Sequence, residues 1–115
     1  MAKKRVALEM GMGTDLRGED MTKAACRAVK DALQRNSLTM AHALDLPKDA
    51  MIIELTVGVP KPDEVNLADV CAICPYGEIS AKAVEGGLSI VSWDGERRTT
   101  MASAAIEVFF DIEEV

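Results

Sequence analysis

The alternation of apolar and polar positions divides the chain into alternating strand-like and helix-like segments. Residues 5–12 place Val6, Leu8, Met10 and Met12 against Ala7, Glu9 and Gly11, the two-residue period of a half-buried strand. From residue 21 the period changes. Met21, Ala25, Val29 and Leu33 fall four apart, widened by Ala28 and Ala32, while Lys23, Arg27, Lys30 and Asp31 cover the remainder. Asp20 is the predicted N-cap of this helix, with Glu19 beside it where the helix dipole favours negative charge. The alanines imply close approach to a sheet, and Asn36-Ser37 ends the pattern.

Residues 38–50 are ambiguous: LTMAHALDL suits a helical turn, which Pro47 then breaks. A second strand over 51–60 carries Ile53, Leu55, Val57 and Val59 on one face and Glu54, Thr56 and Gly58 on the other. Lys61-Pro62-Asp63 reads as a turn. A short helix follows, capped by Asn66, with Leu67, Val70, Cys71 and Cys74 on one face and Pro75 as its stop. The segments 78–84 and 88–93 flank Glu85-Gly86-Gly87 and read as a hairpin. After the polar loop 94–100, residues 101–112 admit a helix through Ala102, Ala104 and Ala105. The strand is preferred, because Ile106, Val108, Phe110 and Ile112 alternate with Glu107, Phe109 and Asp111 in a β-branched and aromatic context. The predicted order is strand, helix, strand, short helix, hairpin, strand. This is an α/β fold of the α+β sandwich kind, one domain over residues 1–115, with the long helix on one sheet face. The other face then needs a cover, which a neighbouring subunit would supply.

Composition narrows the partners. With 49% hydrophobic residues in 115, the chain can build a core, but so small a domain gains from pairing with copies of itself. A net charge of −6 and scattered basic residues argue against nucleic acid and anionic membrane as partners. The start MAKKRVALEM lacks the long apolar run and cleavage site of a signal peptide. Three cysteines suit a reducing compartment, so the expected setting is cytoplasmic.

The candidate chemistry lies in 11-GMGTDLRGED-20, between the first strand and the helix. It is not a dinucleotide loop, because Leu16 stands where the third glycine is needed. Nor is it a P-loop, because Glu19-Asp20 replace Lys-Ser/Thr. Asp15, Glu19 and Asp20 would also repel phosphate from the helix N-terminus. Two readings remain. In one, Gly11, Gly13 and Gly18 let a small polar ligand approach, with Asp15 and Arg17 as contacts and tentative catalytic groups. In the other, the glycines supply positive φ in a tight turn, Asp15 closes an Asx-turn and Arg17 pairs with an acidic neighbour.

GMGTDLRGEDMTKAACRAVKDAL, with VGVPKPDEV and PYGEISAKAVEGGL further on, resembles a family of small conserved hypothetical proteins named after a Listeria member. Its signature is G-x-G-x-D-x-H-G, which places Gly11, Gly13, Asp15 and Gly18 on the motif and Arg17 where the family has His. The resemblance implies a site here without naming a reaction. Arginine cannot serve as a neutral base or metal ligand, so any such role of the histidine is in doubt in this chain. A fainter similarity connects the chain to one repeat of the ring-opening amidohydrolases of the cyanuric acid hydrolase and barbiturase type. It nominates Ser103 in 102-ASAAIEV-108 and implies a threefold assembly; the loop lysine of those enzymes has no counterpart, since Met12 and Thr14 stand there, and Lys23 would substitute only by pointing back toward the loop.

Cys71-x-x-Cys74 lacks two further ligands near it for a structural zinc and sits at a helix end, so it reads as two inert thiols. His42 reads as a surface residue, the methionines as packing, Arg97-Arg98 as solvated and Glu113-Glu114 as an acidic tail. No metal site is read, and the sequence names no cofactor. The expectation is a homo-oligomer, threefold if the amidohydrolase resemblance extends to assembly, that binds or acts on a small polar molecule at loop 11–18. The alternatives are a non-catalytic assembly protein and a ring-opening hydrolase built from identical subunits.

Overall fold

The computed structural model describes residues 2–35, 50–74 and 77–112. Strand β1 (Ala2–Asp15) leads into helix α1 (Met21–Arg35) and strand β2 (Ile52–Val59). A 3-10 turn (Pro62–Glu64), helix α2 (Leu67–Cys71) and strands β3 (Glu78–Glu85), β4 (Leu88–Val91) and β5 (Arg98–Ile112) follow. The five-stranded sheet has the order β1-β5-β2-β3, with β4 also on β5. β5 runs antiparallel to β1, β2 and β4, while β2 and β3 are parallel. The ambiguous segment before Ala50, together with Pro75, Tyr76 and the acidic tail, lies outside the described residues. Among the described residues no helix is long and apolar enough to cross a membrane.

The long helix forms where its apolar stripe requires. Met21, Ala24, Ala25, Ala28, Val29 and Ala32 are buried on the sheet, and the Asp20 carboxylate accepts a hydrogen bond from Lys23 N at 3.0 Å, the expected N-cap. Asn66 caps α2 in the same way, accepting from Asp69 N at 3.3 Å. The strand reading of the last segment holds, with Ala102, Ala104, Ile106, Val108 and Phe110 all turned toward the helices. Together with Ile53, Leu55, Val57 and Val59 of β2 they form the core.

Two expectations change. The segments around Glu85-Gly86-Gly87 are both strands, but they do not pair as a hairpin: β3 lies beside β2, and β4 lies beside β5. The glycines carry the chain across the end of β2. Gly86 N donates to Val59 O at 2.9 Å, and Gly87, at φ +65°, packs so tightly on Met101 O that no Cβ would fit. The hairpin comes one connection later, between β4 and β5.

The second change concerns β1, which continues through Asp15, so Gly11 and Gly13 lie inside a strand and not in a loop. The strand also presents the opposite face from the one its apolar line suggests. Gly11 and Gly13 face α1, whereas Leu8, Met10 and Met12 point to the uncovered side of the sheet and are exposed. A Cβ on Gly11 would lie 2.5 Å from Ala32 N and 2.6 Å from Ala28 O, and one on Gly13 would overlap Ala28 N. These glycines are therefore the seat of the helix, and neither has positive φ.

Gly13→Ala is expected to force α1 off the sheet and to lower stability by about 3 kcal/mol in urea titration. Gly95→Ala, at φ +77° in open space, is expected to cost only about 1 kcal/mol.

Candidate functional site

The junction of β1 and α1 is built around one buried carboxylate. Asp15 is 5% exposed, and its Oδ2 accepts from Asp20 N at 2.9 Å. The Gly18 N–H also donates to it, and Oδ1 lies 3.9 Å from Lys23 Nζ and 4.0 Å from an Arg27 guanidinium nitrogen. A Cβ on Gly18 would come within 2.9 Å of Oδ2, so this glycine lets the chain fold over the carboxylate. The left-handed residue of the turn is Glu19 (φ 50°), not one of the glycines. The Asp20 N–H does most to hold the Asp15 carboxyl below its ordinary value of 3.8; burial opposes it, while Lys23, the Gly18 N–H and Arg27 add to it. Arg17 does not join this cluster. It is exposed and makes no hydrogen bond or ion pair with another described residue. The structure thus brings Asp15 and Gly18 together, with Gly11 and Gly13 under the helix, and leaves Arg17 outside.

Ser103 lies elsewhere, on the uncovered face, paired with Met12 of β1 and Gly58 of β2. Lys23 projects from α1 toward Asp15 on the opposite side of the sheet, so it does not pair with Ser103 within one chain. Around Ser103 the surface dips into a hollow of about 240 Å³, lined by Met10, Thr56, Gly58, Val84 and Gly86. Gly58 is needed there because its Cβ would fall 2.9 Å from Ser103 Oγ. Neither the Ser103 nor the Thr56 hydroxyl hydrogen-bonds to a described residue. A second hollow of about 240 Å³ adjoins it, lined by Met10, Met12, Met101 and Asp31.

The uncovered face is divided along its length. At one end, Lys3 meets Glu54 at 2.8 Å and Arg5 meets Glu107 at 3.1 Å, with Lys82 lining a small polar hollow between Glu54 and Glu107. At the other, Leu8, Met10, Met12, Val84, Leu88 and Ile90 are 41–64% exposed. The two hydroxyls sit where these ends meet. The expectations at Ser103 and the loop glycines did not include Thr56, Gly58 or Gly86. The available signal was Gly58 within the strand pattern LTVGV, since a glycine inside a strand marks close approach.

The other candidates carry no site. The three thiols are unpaired; burial, with Cys71 adding, pushes that of Cys74 up to about 11, which leaves it unreactive at neutral pH. Arg98 donates to Ser89 Oγ at 3.1 Å. Among the described residues no group of His, Cys, Asp and Glu could hold a metal ion, and His42 lies outside them.

Asp15 contributes stability that is complete above the unfolded carboxyl value and is lost as pH falls through the lower folded value. The native protein is therefore expected to lose urea midpoint below about pH 4, and Asp15→Asn is expected to flatten that fall. Asp15→Ala, which strands two backbone donors, is expected to cost about 2–3 kcal/mol at neutral pH.

The sequence profile of conserved hypothetical proteins of the Lin0512_fam type matches residues 5–108. No curated protein matches the chain. Among solved structures, the 1.22 Å crystal structure of an FtsZ-like protein of unknown function from Nostoc punctiforme PCC 73102 is similar, with a TM-score of 0.87. That likeness extends over 97% of this chain and 99% of the other at 33% sequence identity. A profile match spanning both the helix seat and the uncovered face shows that the chain belongs to the Lin0512_fam family of conserved hypothetical proteins.

Proposed function

We propose that the protein is a homo-oligomer that binds a small polar molecule on the uncovered face of its sheet. The site is the notch of Ser103, Thr56, Gly58 and Gly86, closed by a neighbouring copy. One observation carries this reading: two hydroxyls that hydrogen-bond to no described residue sit at the border of an apolar surface that no part of the described chain covers. The six apolar side chains expose on the order of 600 Å², at the upper end of what a monomer tolerates and near the ~800 Å² per partner of a standard interface. Covering them removes water from the hydroxyls and strengthens any hydrogen bond a ligand makes there.

The reading keeps a small polar ligand and a shared site but moves both away from Asp15 and Arg17. Asp15 already serves two backbone donors, and Arg17 stands in solvent. Gly11 borders both hollows through its backbone. Ser103 acts as a hydrogen-bonding group: among the described residues no histidine or lysine lines the notch, and the titratable residue that does is Glu85. A purely structural assembly is the second reading. It is favoured by the packing and turn roles that Gly11, Gly13, Asp15 and Gly18 already fill.

Native mass spectrometry separates the two. The expected result is a defined multiple of the 12.4 kDa protomer carrying an organic adduct, which Ser103→Val loses without changing the multiple. A bare multiple in both proteins would favour pure assembly, and a bare monomer would contradict both readings.

A further inference from the structure

Resting on the self-associating reading, we propose that the β4–β5 hairpin is a docking arm whose Trp93 seats in the methionine-lined hollow of a second copy. Trp93, the sole tryptophan in the chain, is 98% exposed. An indole left in water costs burial energy that a folded domain normally recovers. The loop holding it is nonetheless tightly built. Ser92 N donates to Arg97 O at 2.8 Å and Gly95 N donates to Ser92 O at 2.9 Å. Asp94 Oδ1 accepts from Ser92 Oγ and from Glu96 N, and Ser92 Oγ in turn accepts from Arg97 N at 3.2 Å. The backbone that carries the indole is thus ordered before any partner arrives, which reduces the entropy that docking must spend.

The receiving hollow suits it in size. At about 240 Å³ it exceeds the ~150 Å³ cavity known to hold a benzene ring, and thioethers make favourable contacts with aromatic rings. Asp31 lines its edge, while the arm carries Asp94 and Glu96 as well as Arg97 and Arg98, so the loop is neutral overall and the apolar contact directs the docking. In its own chain Trp93 does not occupy the hollow: it is 98% exposed, and Met101, the lining residue nearest to it along β5, lies three residues from Arg98, where that strand begins, roughly 10 Å along an extended strand. A second copy would bring indole and methionines together. Adding Trp93 to the exposed apolar side chains brings the surface to about the ~800 Å² that each partner contributes to a stable dimer. Each copy gives one arm and receives one, so the contact closes either by twofold exchange or as a ring. In both cases the arm forms a wall beside the Ser103 notch, because Met10 and Ser103 border both hollows.

Trp93 reports on this contact itself. In the associated protein its emission is expected to be blue-shifted and at least several-fold less accessible to acrylamide than a free tryptophan amide, and dilution should reverse both. Trp93→Ala is expected to raise the dissociation concentration about thirtyfold or more, while Trp93→Phe retains most of the association. An oligomer in which Trp93 is quenched as freely as the amide would overturn the docking arm and leave self-association standing. A monomer at every concentration would overturn both.

Discussion

The contact between the backbones of β1 and α1, made at Gly11 and Gly13, determines where the remaining side chains can go. With no Cβ on the strand and Ala28 and Ala32 on the helix, the two elements meet closer than any other side-chain pair would permit. Larger apolar residues are excluded from the helix side of β1 at positions 11 and 13, so the bulk of this part of the strand, in Leu8, Met10 and Met12, lies on the other. The seat of the helix and the apolar open face are therefore two results of one packing arrangement. Asp15 completes it, turning the chain from strand to helix by accepting from the Gly18 and Asp20 N–H groups of the connecting turn.

The same helix protects the edge of the strand on which it sits. Arg27 donates to Thr14 O at 2.6 Å and Asp31 accepts from Met12 N at 3.0 Å, so part of the outer edge of β1 is satisfied by side chains and not left to pair with another strand. Association through the open face fits this arrangement better than indiscriminate edge pairing. A charged end, tied by Lys3–Glu54 and Arg5–Glu107, gives that face a direction, and the methionines at its other end adapt to what covers them.

Much of this was legible in the residues. The helix stripe, the Asp20 and Asn66 caps and the final strand all follow from local periodicity and capping chemistry, which act within a few residues. What failed was decided at longer range. The period of β1 was read correctly, but its inward face was not, because two glycines and a helix of alanines can bury the small side of a strand. The glycines at 86 and 87 punctuate a turn in either topology; whether β4 returns to β3 or crosses to β5 depends on the partners waiting there. For the site, the motif glycines and Asp15 stood out by composition, and the structure gives Gly11, Gly13, Gly18 and Asp15 close packing and turn contacts. Thr56 and Gly58 of β2, Gly86 just after β3 and Ser103 of β5 come together only when these three strands are aligned side by side, so no single stretch of sequence contains the whole notch.

The central claim is that another copy covers the face opposite α1, and the methionines test it most directly. Peroxide oxidation, read by peptide mass spectrometry at high and low protein concentration, compares exposed Met10 and Met12 with Met21 and Met51 in the core. The account predicts that Met10 and Met12 are protected at high concentration and become oxidised on dilution, while Met21 and Met51 stay protected throughout. Rapid oxidation of Met10 and Met12 at every concentration would show a bare face and contradict the account.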